Sequence, residues 1–140
     1  MTEPIEVYDI ADHNNKIQIM KVAVETLSKN PDMGIVVALL ICTFIDSLAE
    51  TSHSMFYKYL EDHFPDLEKE IGFLMISKHL RNKTVHKFAF LPPLALAHSQ
   101  MFDDKNDYKK EEEIKGQKWI LLNVDRLIKD FLEHLEEIKK

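Results

Sequence analysis

The stretch "NPDMGIVVALLICTFIDSLAE", residues 30–50, constrains the fold more than any other part of the chain. Asn30 is placed to cap a helix, Pro31 suits its first position and Asp32 its first turn. From Met33 to Ile45 the residues are apolar nearly all round, so this helix, about residues 31–51, belongs at the centre of a core. The apolar run is shorter than the ~20 residues needed to cross a bilayer, so no membrane is expected as a partner. Asp46 ends the stripe formed by Ile35, Leu39 and Cys42, with Glu50 one turn further on. A carboxylate on that stripe needs a partner, because burying an unpaired charge is costly.

Helical periodicity recurs on both sides of this segment. Ile17, Met20, Val24 and Leu27 follow at spacings of three and four, one face of an amphipathic helix. "SHSMFYKYLEDHF" reads as a short helix packing Phe56, Tyr59 and Phe64, and Pro65-Asp66 starts a fourth, about residues 66–86. At the C-terminus, "NVDRLIKDFLEHLEEIKK" carries the stripe Leu127, Phe131 and Leu135, with Asn123 or Asp125 as its cap. Between these helices, residues 87–117 form an irregular excursion, too long for a simple connector. "KWILLNV" then reads as a short strand, paired with "KFAFL" or "LALAH" as a small hairpin. With only three glycines for tight turns, the expected class is all-α. We expect a single domain, residues 1–140, built as an up-and-down bundle of about four or five helices.

Composition narrows the chemistry. A formal net charge of −6 leaves no overall positive field for nucleic acid; DNA is not expected, and an RNA site would have to be local. The single cysteine, Cys42, permits no intrachain disulfide, and the N-terminus lacks the basic-then-apolar order of a signal peptide. Both point to the cytoplasm. No glycine-rich phosphate loop, paired-cysteine motif or nucleophile elbow is present, so no cofactor is expected. His79 and His86 share a helical face but lie about 10.5 Å apart along it, too far to hold one ion, and no metal site is assigned.

The remaining constellation is Arg81-Asn82 followed by His86. Histidine titrates near neutrality and can take the proton of a ribose 2′-hydroxyl or return one to a leaving oxygen. Arginine stays charged and holds a phosphate bidentately as charge builds in the transition state. Asn82 can orient the imidazole or bind the phosphate. Lys78, Lys83 and Lys87 cluster nearby and supply local positive charge. The structural alternative has Arg81 pairing with Asp46 or Glu50 to lock two helices together, with His86 closing its helix.

"RNKTVH" resembles the R-x4–6-H signature of the HEPN superfamily, the higher eukaryotes and prokaryotes nucleotide-binding domains. The order "LICTFIDSLAE", "MFYKYLEDHFPDL", "LRNKTVHKF" and "WILLNVDRLIKDFLEHL" is similar to a group of microbial HEPN-like proteins. The resemblance spans about residues 36–135. It implies a helical homodimer whose two motifs face a shared cleft. It also implies a metal-independent endoribonuclease of toxin or antiviral-defence type, with RNA as substrate and a cognate antitoxin as a further partner. Arg81 and His86 are then the catalytic pair and Asn82 the polar helper; Asp46 and Glu50 are suggested as a supporting shell by their place on the second helix, not by the resemblance. Some relatives are non-catalytic modules that bind proteins or nucleotides, and this is the alternative.

Overall fold

The computed structural model describes residues 12–79 and 92–140. Helix α1, His13–Ser28, begins where the Asp12 carboxylate accepts a hydrogen bond from the Asn15 amide at 2.9 Å. Its expected stripe turns inward, with Ile17, Met20 and Val24 buried. Asn30 then accepts from the Asp32 amide and opens a 3-10 turn, Pro31–Met33, that runs into α2, Gly34–Thr51. Val37, Ala38, Ile41, Cys42, Ile45 and Leu48 of α2 are buried against α1, α3 and α6. By length and composition Pro31–Thr51 would also suffice to cross a membrane.

Helix α3, Phe56–His63, is followed by α4, Pro65–Glu70, and a three-residue α5, Phe73–Met75. The continuous helix expected from residue 66 is therefore broken. Leu67 O accepts from the amides of both Ile71 and Gly72, and Gly72 has φ +92°, a conformation that strains any residue with a Cβ. After α5, Ile76–His79 form a wider π-helical turn, with Ile76 buried in the core.

An all-α bundle is not what forms. Three strands, β1 (Leu94–Ala97), β2 (Lys109–Ile114) and β3 (Gln117–Asn123), make a mixed sheet in the order β1-β3-β2, so the fold is α+β. The expected strand is present as β3, and "LALA" does pair with it, but in parallel register with Leu94 opposite Ile120. The hairpin partner is β2 instead, antiparallel, with Ile114 opposite Gln117. Lys115 and Gly116 between them have φ +51° and +78°, the positive values that a two-residue type I′ turn requires. The excursion is thus ordered over much of its length, and its charged run is an edge strand.

Ile120 and Leu122 of β3 face the helices and join the main core, while Ala97, Leu121 and Phe102 form a smaller cluster with Trp119 on the other face. The chain then enters α6, Val124–Ile138. Asn123 is its cap, accepting from the amides of Asp125 and Arg126 at 3.1 and 3.2 Å. Leu127, Phe131 and Leu135 are buried as their spacing requires.

Candidate functional site

Arg81, Asn82, Lys83, His86 and Lys87 lie outside the described residues. The structure does describe the segment that leads to them. Ile76, at the start of the π turn, shares a small internal void with Cys42 and Ile45 of α2 and with Leu60 and Leu67. The turn therefore packs against the middle of α2 through Ile76. Asp46 is half-buried there, and Glu50 on the last turn of α2 is exposed. Solvation removes the need for a partner at Glu50, contrary to the expectation for both carboxylates. Lys78 is exposed within the π turn.

Two polar clusters were not legible from sequence spacing, and both are built on α6. At its N-terminal end, Asp125 accepts from the Ser99 amide at 2.7 Å, the Ser99 hydroxyl at 3.0 Å and His98 Nδ1 at 3.1 Å. The second ring nitrogen of His98 meets the Pro31 carbonyl oxygen at 3.0 Å. Both neighbours are acceptors, so the site favours the imidazolium, whose two nitrogens both donate. The Asp125 hydrogen bond raises the His98 pKa above its usual value of 6.5, with burial opposing. Burial would lift the Asp125 carboxyl, but the bonds from Ser99 and His98 outweigh it and lower its pKa. Ser99 donates to the aspartate rather than to an imidazole, so this trio does not activate a hydroxyl for attack.

The next residue, Arg126, bonds Asp130 at 3.1 Å and Asp66 of α4 at 2.8 Å, and also donates to the Asn106 carbonyl. Its guanidinium lies 4.5 Å from the centre of the Tyr108 ring, whose hydroxyl donates to Asp130. Burial, then the Asp130 carboxylate, pushes the Tyr108 phenol far above its usual value. All three nitrogens of this arginine are engaged, tying α4, α6 and the approach to β2 together.

The C-terminal half of α6 is different. His134 is 2% exposed, and its Nε2 lies 2.5 Å from the Tyr59 hydroxyl. Its Nδ1 has no hydrogen-bond partner; a Glu137 carboxylate oxygen stands 4.0 Å away. The His63 ring stacks on it at 4.8 Å between centroids, and Phe64 meets it edge-on at 5.0 Å. Burial, then the neighbouring His63, lowers the His134 pKa to about 4, so the ring is neutral at physiological pH. Burial alone raises the Tyr59 phenol to about 12. Asp66, Asp130, Glu133 and Glu137 surround the opening above this pair, a cleft of about 90 Å³.

Among the described residues no three histidine, cysteine or carboxylate side chains converge to hold a metal ion. Comparison of the chain with family models, curated proteins and solved structures gives no match.

Proposed function

We propose that the chain is a HEPN-like, metal-independent endoribonuclease that acts as a homodimer in the cytoplasm, in a toxin or antiviral-defence role. The observation that carries the reading is the motif "RNKTVH", which begins two residues after a π-helical turn anchored to the core through Ile76. π turns interrupt helices at a cost and recur at functional sites. His86 takes the proton of a ribose 2′-hydroxyl, and the freed oxygen attacks the adjacent phosphorus. Arg81 and Asn82 hold the charge that gathers on the phosphoryl oxygens. The bond to the 5′-oxygen breaks and that oxygen leaves with a proton, giving a 2′,3′-cyclic phosphate and a 5′-hydroxyl. Lys78, Lys83 and Lys87 draw the RNA backbone to this end of an otherwise acidic protein, with Asp46 and Glu50 in support.

Single-stranded RNA incubated with the pure protein and excess chelator tests the reading. Cleavage to cyclic-phosphate ends is expected from the wild type, with no product from Arg81→Ala that remains folded. Intact RNA across diverse sequences would refute it. A second reading, a non-catalytic interaction module with a cognate antitoxin or another protein as partner, is favoured by the net charge of −6 and by the open edge of β2. In that case Arg81→Ala would weaken folding or association and leave no catalytic difference to measure.

A further inference from the structure

The outer edge of β2 has no neighbour strand among the described residues, since β3 occupies its inner side and β1 lies beyond β3. The direction of its backbone groups follows from the register. Asn123 N donates to Tyr108 O at 2.9 Å, and Lys110, Glu112 and Ile114 sit opposite Leu121, Trp119 and Gln117. Backbone bonding alternates along an antiparallel pair, so the even-numbered residues bond inward to β3. Lys109, Glu111 and Glu113 therefore turn their N–H and C=O groups outward.

Protective charges on an edge strand work by staying unpaired when another edge approaches. The run Lys109-Lys110-Glu111-Glu112-Glu113 behaves otherwise towards itself. Only the outward residues can bond across a new antiparallel pair, so two copies must meet with odd positions opposite odd ones. In the register centred on Glu111, Lys109 faces Glu113 of the second copy and Lys110 faces its Glu112. The two-fold axis repeats both, so four opposite-charge pairs form against one exposed Glu111 pair at the axis. Lys110 already donates to Met101 O at 3.0 Å and keeps donors to spare. One oxygen of Glu112 is buried without a hydrogen-bond partner, a cost that a facing ammonium relieves.

We propose that β2 is a self-pairing edge, and that two copies join through it into a continuous six-stranded sheet, in the register centred on Glu111. This pairing does not depend on the ribonuclease reading.

Sedimentation of the full chain tests it. Lys109→Glu sets two glutamate pairs across the edge, and Glu113→Lys sets two lysine pairs. Each is expected to raise the dimer Kd at least about tenfold while circular dichroism stays unchanged. An equimolar mixture of these two variants is expected to form a heterodimer with a Kd within about threefold of the wild type. Opposed residues 111 at the axis predict a spontaneous intermolecular disulfide from Glu111→Cys and none from Glu113→Cys, with buried Cys42 as a silent control. A protein monomeric at all concentrations overturns the proposal. So does a dimer that survives both charge reversals and gives no Glu111→Cys cross-link, and that dimer would leave the ribonuclease reading standing.

Discussion

The two ends of α6 hold their neighbours by opposite means. At the N-terminal end, polar groups are densely paired: the side chains of Asn123, Asp125 and Arg126 bond to three other segments of chain, residues 98–99, residues 105–107 and Asp66 of α4. Both neighbours of the His98 ring are acceptors, which favours its charged form. Towards the C-terminal end, His134 sits neutral among aromatic rings with one nitrogen unpartnered. The same residue type thus serves as an ionic clasp in one place and as dry packing in the other. The Ser99 hydroxyl donates to Asp125 rather than to His98, and the hydroxyl beside His134 is the buried Tyr59 phenol. Both histidines are tied into the packing around α6.

The largest blow to this contrast comes from the densely paired end. Asn123→Ala removes the cap of α6 and leaves the Lys105 and Asp107 carbonyls without the side-chain amide that now donates to both. A loss of about 2–4 kcal/mol in urea denaturation is expected. The dry end should reveal itself through acid. The folded pKa of His134 lies below its ordinary 6.5, at about 4, so its contribution is complete above pH 6.5 and is lost as pH falls towards 4. The expected loss is about 2–3 kcal/mol, and it should vanish in His134→Phe, measured by thermal melting across that window.

His98 works with the other sign. Its folded pKa is raised, so its contribution is present below pH 6.5 and disappears as pH rises through the folded value. Replacing it by glutamine keeps one hydrogen bond and removes this slope, at a cost of about 1 kcal/mol at pH 6. The smallest effect is expected at the hairpin, where Lys115 has φ +51°. Asparagine tolerates that conformation better, so Lys115→Asn should stabilise by about 0.5–1 kcal/mol.

What could be read in advance divides along similar physical lines. Ile17, Met20 and Val24, the apolar face of α2, and Leu127, Phe131 and Leu135 are spaced by a single rule that burial enforces, and Asn123 precedes its helix as a cap should. β2 offered no such rule. An edge strand with both faces partly solvated need not alternate, so "KKEEEI" looked like a solvated run. Gly72, with φ +92°, breaks the helix expected over residues 66–86, and the apolar residues on both sides of it share a spacing that hides the break. The setting of His134 depends on where α3 ends against α6, and its neighbours on α6 do not reveal it. The motif at residues 81–86 was legible as a motif, and its partners on α2 were inferred from helical spacing alone.

The most direct test compares four variants in one RNA cleavage assay with excess chelator: Arg81→Ala, His86→Ala, His98→Gln and His134→Phe, each confirmed folded. The account predicts that the first two lose at least about a hundredfold in rate, while the last two stay within a few-fold of the wild type. Cleavage that survives His86→Ala, or that disappears with His98→Gln, would contradict it.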